Sequence, residues 1–180
     1  MVTVIDNVLG IFSTKHEEQR VGIFVDVQNL YYSARNIYNA RVNFSALLKE
    51  AVGSRKLIRA TAYVIRAQMP EEQSFFDALS KAGYEVKAKD LQVFFGGIKK
   101  GDWDVGVTMD AIRQMNKVDA VVLASGDGDY IPLLDYLKNF GVRVEVIAFG
   151  KSSSSKLIEA ADDFIDMDAS PKKFLIPIKR

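Results

Sequence analysis

The chain has 180 residues, with 24 Lys+Arg against 23 Asp+Glu, 48% apolar and 26% charged side chains, no cysteine and one histidine. A chain of this length buries about 70% of the surface it exposes when unfolded, and its hydrophobicity and near-neutral charge exclude disordered and fibrous classes. Without cysteine there are no disulfides, thiol nucleophiles, iron–sulfur clusters or thiolate zinc sites, and His16 alone builds neither a Ser-His-Asp site nor a multi-histidine metal site. Any catalysis must therefore run on carboxylates.

Residues 1–20 read as an N-terminal extension. MVTVIDNVLGIF carries Asp6 inside its apolar stretch and has no basic n-region, and no window reaches the run of about 18 apolar residues that a spanning helix needs. The expectation is a cytoplasmic protein with no membrane segment, and His16, in a polar run, reads as a solvated surface residue.

From Val21 the chain alternates β-rich apolar runs with amphipathic segments, the pattern of a parallel sheet covered on both faces. VGIFVDV, residues 21–27, is a continuous apolar run and hence a buried strand. Residues 43–52 predict a helix with Asn43 at its N-cap, Phe44, Leu47, Leu48 and Ala51 on one face, and Gly53 as its stop. Residues 57–65 supply a second strand. Pro70, Glu71 and Glu72 open a helix with Phe75, Phe76 and Leu79 on one face, closed by Gly83 before a short strand at 84–86. A helix over 104–115, a strand over 119–124, the turn SGDGD, a helix over 131–140 stopped by Gly141 and a strand over 142–149 complete the core. A serine-rich turn at 152–155 caps a last helix up to Ala161, and residues 164–167 read as a small edge strand. The expected fold class is α/β: a three-layer sandwich around a central, mainly parallel sheet of about five strands, one Rossmann-like domain over residues 21–168. Residues 169–180, with the basic PKKFLIPIKR, are expected as a partly ordered C-terminal tail, with an extra docking segment as the alternative.

In open α/β sheets ligands bind beyond the carboxyl ends of the strands, where strand order reverses, so acids at strand ends are the candidate chemistry. Asp26 closes the first strand, with Asn29 three residues on, and Asp127 and Asp129 lie in the turn after 119–124. If those strands are neighbours, about 4.8 Å apart, Asp26 and Asp127 can share one cation. The cation removes a repulsion of roughly 4 kcal/mol between carboxylates about 4 Å apart at an effective dielectric near ~20. Oxygen ligands without His or Cys select Mg²⁺ or Mn²⁺ over zinc. Asp104, at a helix entrance, can point back to the same sheet edge, whereas Asp110 is rotated by about 240° and cannot, and Asp102 reads as a cap. Taken singly, Asp104 also suits a plain helix N-terminus and SGDGD a plain polar turn. The stretch from Asp127 is no calcium loop, because Ile131 and Lys138 hold two of its ligand positions. No P-loop or glycine-rich dinucleotide fingerprint occurs, and Asp26-Val27-Gln28 lacks the second acid of an Asp-x-Asp phosphatase nucleophile.

For substrate contacts, Lys87, Lys89, Lys99 and Lys100 flank Phe94, Phe95, Gly96 and Gly97, pairing phosphate-binding charge with rings that stack on bases. The alternative is a solvated loop whose phenylalanines join the core. Tyr31, Arg35 and Tyr38 share one face of the helix after Asn29 and form a second candidate surface, with ordinary packing as its alternative. Trp103 reads as an anchor of its loop.

FVDVQNLY (24–31), KKGDWDVGVTMDA (99–111) and VVLASGDGDYIPLLDYLKNFGVRVEVIAFG (121–150) together resemble the NYN domain, in its LabA-like branch within the PIN-like nuclease superfamily. The resemblance implies a central parallel sheet of order 3-2-1-4-5 and a metal-dependent ribonuclease site. It carries over Asp26, Asp104, Asp127 and Asp129 as acids that hold Mg²⁺ or Mn²⁺, and Asn29 as their polar companion. Ser125, Lys99, Lys100, Tyr31 and Arg35 make up the expected substrate-binding set, although Lys100 stands four residues before Asp104 where many relatives space the lysine by three. Two functions follow: a metal-dependent ribonuclease, or a non-catalytic RNA-binding or regulatory module on the same fold, since LabA-like relatives include proteins regarded as regulators. A metal phosphatase or toprim-like site would keep Asp127 and Asp129 but needs an upstream Glu. RNA is the expected partner, and homodimer formation is left open.

Overall fold

Val21, Ile23, Val25 and all of Ala120–Ala124 are buried, as continuous apolar runs require of strands covered on both faces. The structure, a computed structural model, describes residues 16–67, 69–93, 95–97 and 99–178, with Lys99 and Lys100 as backbone only. In chain order the elements are β1 (Arg20–Asp26), α1 (Val27–Tyr38), β2 (Ala40–Val42), α2 (Phe44–Val52), β3 (Lys56–Arg66), α3 (Glu72–Ala82) and β4 (Glu85–Asp90). They continue with β5 (Gln92–Val93), β6 (Lys99–Lys100), α4 (Asp104–Gln114), β7 (Ala120–Ala124), α5 (Ile131–Asn139), β8 (Arg143–Ala148), α6 (Ser155–Ala160), β9 (Asp163–Asp166), α7 (Pro171–Phe174) and β10 (Leu175–Pro177).

The central sheet runs β4-β3-β1-β7-β8-β9, and every neighbouring pair is parallel. Its first five positions reproduce the expected 3-2-1-4-5 order, and β9 adds the edge strand. The chain winds outward from β1 to β4 and returns to β7, so strand order reverses between β1 and β7. Val25 pairs with Ala124, which sets Asp26 beside Ser125 at the carboxyl edge of that switch point.

Local signals explain most boundaries. Asn43 Oδ1 accepts from the Ala46 N–H at 3.1 Å, and Gly53 ends α2 at φ 59°. The first strand stops one residue short of the apolar run because Asp26 caps α1, so Val27 is already helical. The N-cap of α4 is Trp103, whose side chain makes no capping hydrogen bond. Toward the amino ends of the strands Arg55 and Glu145 are both buried. Arg55 Nη1 and Nη2 donate to the two Glu145 carboxylate oxygens at 3.0 and 3.1 Å, and the guanidinium also reaches Gln19 Oε1 and the carbonyls of Ala51 and Val52. That ion pair is satisfied and lies away from the carboxyl edge.

The C-terminal segment takes the docking alternative and not the partly ordered tail. Residues 171–177 are docked: Phe174 is buried, its carbonyl accepts from the Asn43 N–H at 2.7 Å, and β10 pairs antiparallel with β2. The apolar FLIP gains more by burying Phe174 against α2 than by staying in water. The extension over residues 1–15 lies outside the described residues. Among the described residues no helix is long and apolar enough to cross a membrane.

Candidate functional site

Asp26 sits at the junction of β1 and α1 because a strand that ends in an acid can cap the helix that follows. Its Oδ1 accepts from the Asn29 N–H at 3.1 Å, and its Oδ2 accepts from the Ser125 hydroxyl at 3.2 Å. Asn29 returns the link: its Oδ1 accepts from the Gly126 N–H at 2.9 Å, tying α1 to the turn after β7. Within that turn Asp127 accepts from the Asp129 N–H at 3.0 Å. The two glycines of SGDGD serve close approach. A Cβ on Gly126 would lie 2.4 Å from Ser153 Oγ and 2.9 Å from Ser153 Cα, and one on Gly128 would lie 3.0 Å from Ser154 Oγ. The serine-rich turn therefore packs directly on the acidic turn, and Ser154 caps α6.

Asp104, in the first turn of α4, completes the cluster. One carboxylate oxygen each from Asp104, Asp127 and Asp129 lies within 4.8 Å of the others. Asp26 is linked to this trio through Tyr130, whose buried hydroxyl donates to Asp104 Oδ1 at 3.2 Å and lies 3.5 Å from Asp26 Oδ2. One phenolic proton serves Asp104, and the longer separation is at the outer limit of a hydrogen bond. Tyr130 did not figure among the sequence candidates, although its place directly after SGDGD was a usable signal. Asp110 points elsewhere, as its helical rotation requires, and takes bonds from Lys87 at 2.7 Å and Tyr63 at 2.9 Å.

Electrostatics follow from this crowding. Burial pushes the Asp26 carboxyl up to about 6, with help from the Asp104 and Asp127 charges and against the Asn29 and Ser125 hydrogen bonds. Asp104 is raised too, by burial and by the charges of Asp102, Asp127 and Asp129, against the Tyr130 bond. Burial and the same carboxylates raise the Tyr130 phenol. The donor set fits a hard divalent cation: it is oxygen-only, and opposite ligands of such an ion lie about 4–5 Å apart.

The acids open into a cleft of about 320 Å³ lined by Asp26, Asn29, Asp102, Trp103, Asp104 and Asp127, with Gln28, Tyr32, Ser33, Asn36, Ile37 and Ser152 on the remaining wall. Tyr31 and Arg35 are not among the lining residues. Both are exposed, but they leave the helix at 200° and 240° from Asn29, by arithmetic at ~100° per residue, whereas Tyr32 and Asn36 follow Asn29 around the same face. Tyr38 is engaged: its hydroxyl donates to Asp168 and accepts from Lys151. Ser125 is fully buried behind Asp26, a partner of the acids. Lys99 and Lys100 run in the small β5–β6 ribbon, and their side chains, like Phe94, lie outside the described residues. Phe95 is fully exposed at that ribbon's turn, so it does not join the core. Lys87 pairs with Asp110, Lys89 lies 5.0 Å over the Trp103 ring, and Trp103 is anchored as expected, its Nε1 donating to the Val64 carbonyl at 2.8 Å.

Fold and site define a doubly wound α/β domain with an acidic centre at its switch point. The chain belongs to the NYN domain family, whose sequence pattern matches residues 20–168, and that domain is part of the PIN-like nuclease superfamily. It is 25% identical over 160 residues to the low amplitude and bright protein LabA of Synechococcus elongatus, covering 83% of this chain and 84% of that one. A crystal structure of a protein of unknown function from Vibrio parahaemolyticus matches 91% of this chain and 99% of its own at 34% identity, with a TM-score of 0.82.

Proposed function

We propose that this chain is a metal-dependent ribonuclease that hydrolyses RNA phosphodiester bonds at the carboxyl edge of its sheet. The observation that carries the reading is the convergence of Asp104, Asp127 and Asp129 oxygens within 4.8 Å, in a domain of a nuclease superfamily. These three residues would hold Mg²⁺ or Mn²⁺, with Asp26 adding charge from the same cleft. A bound ion of this kind activates water and neutralises phosphate charge. Tyr130 fixes the Asp104 carboxylate through its hydroxyl, and Ser125 orients Asp26. Asn29 holds the acidic turn against α1, so that Asp127 faces the cleft from a rigid base. The crowded acids are costly to ionise together, which makes a cation the natural counter-charge.

The test is cleavage of labelled single-stranded RNA in EDTA, Mg²⁺ and Mn²⁺, beside an Asp104→Asn, Asp127→Asn double variant. Metal-dependent cleavage lost in the variant is expected. Full activity in the variant, or activity indifferent to EDTA, would sink the proposal. RNA retention without cleavage in every condition would favour a non-catalytic binding module.

A further inference from the structure

We propose that Gln28, Tyr32 and Asn36 form the base-binding wall of the cleft, taking one unpaired nucleobase of single-stranded RNA on the Tyr32 ring. The inference rests on the ribonuclease reading for the identity of the polymer. The three residues are spaced by four, so on α1 they make one stripe with about 6 Å of rise between neighbours. All three line the same cleft as Asp104 and Asp127. Tyr32 is 52% exposed, its ring meeting Tyr31 edge-on at 5.4 Å. The Gln28 and Asn36 carboxamides have no hydrogen-bond partner among the described residues. Each amide offers both a donor and an acceptor, which is what the edge of a nucleobase requires.

Charge narrows the choice of ligand. Among the described lining residues there is no Lys or Arg, while four are aspartates, Asp26, Asp102, Asp104 and Asp127. A polyanion gains nothing from this wall through its phosphates, so its hold there must come through bases. The cleft, about 320 Å³, is at the small end of ligand sites and suits one nucleotide. Bases in a duplex are stacked on each other and present no free face to a ring, whereas a single strand can turn one out.

The experiment is fluorescence anisotropy of the full chain with a labelled RNA 8-mer in EDTA, so that binding is read without turnover. The ligands are the single strand, the same strand with one abasic position scanned along it, and the duplex. Tyr32→Ala should weaken single-strand binding about 10-fold or more, the size of one base–aromatic stack, and Tyr32→Phe should retain it. One abasic position should weaken the wild type but not Tyr32→Ala, and Gln28→Ala, Asn36→Ala should reduce discrimination among bases. Equal binding by wild type and Tyr32→Ala, or duplex bound as tightly as single strand, would overturn the proposal, as would absence of binding. A deoxyribose strand held in the same Tyr32-dependent way supports the stack and assigns sugar choice to other groups. Failure of cleavage with Tyr32-dependent binding intact would remove the nuclease reading and leave the base site standing.

Discussion

Replacing Asp26 with Asn measures how much folding free energy the acidic centre withholds. Asp26 is 9% exposed, and its carboxyl pKa moves from 3.8 to about 6, first through burial and then through the Asp104 and Asp127 charges. A group with a raised folded-state pKa binds more protons in the native state between the two values. Its contribution is therefore fully present below about pH 3.8, is lost as pH rises through about 6, and is level above that. At about 1.4 kcal/mol per pH unit the loss amounts to about 3 kcal/mol at pH 7.5. An Asn keeps an oxygen for the Asn29 N–H, and its amide faces the Ser125 and Tyr130 hydroxyls, both able to accept, so the local bonds survive the change. The metal-free variant should thus gain about 3 kcal/mol at pH 7.5, about 6–12 °C in Tm for a chain of this size, and almost nothing at pH 4. Thermal unfolding of both proteins in EDTA across that range reads the difference. A gain equal at both ends, or a loss at pH 7.5, would refute the burial argument. The same substitution should lower the proposed cleavage, since functional carboxylates are held at the expense of stability.

Other expectations concern the groups that build the site. Tyr130→Phe removes the hydroxyl bonded to Asp104 and should cost about 1–2 kcal/mol while lowering cleavage; an unchanged urea midpoint would show the hydroxyl to be idle. Gly126→Ala should destabilise by about 1–3 kcal/mol, because its Cβ would meet Ser153 at 2.4 and 2.9 Å. Adding Ser153→Gly should recover only the part due to the hydroxyl, since the new methyl would still press on the backbone of residue 153, and complete tolerance of the alanine would contradict the close packing. Phe174→Ala should cost about 3–5 kcal/mol in urea unfolding, whereas a negligible loss would show that the C-terminal segment does not belong to the core.

Apolar periodicity is a local record of which faces meet a core, so the alternation of elements could be read from the chain alone. Asn43 and Gly53 marked α2, the run 119–124 marked β7, and the acids Asp26, Asp104, Asp127 and Asp129 were legible as candidates because the carboxyl edge of an open sheet is where ligands bind. Their grouping needed the three-dimensional fold. Register places Asp26 beside Ser125, but caps and hydroxyls draw its carboxylate inward, and Asp104 meets Asp127 and Asp129 only because α4 begins at the same sheet edge. Tyr130 and the docked Phe174 act through contacts over 26 and more than 100 residues of chain, which no local pattern encodes. The face that α1 turns to the cleft lay between these limits: helical rotation from Asn29 distinguishes Tyr32 and Asn36 from Tyr31 and Arg35, yet only the packed sheet makes Asn29 the mark of the site's wall, because its bond to Gly126 joins two elements that are distant in sequence.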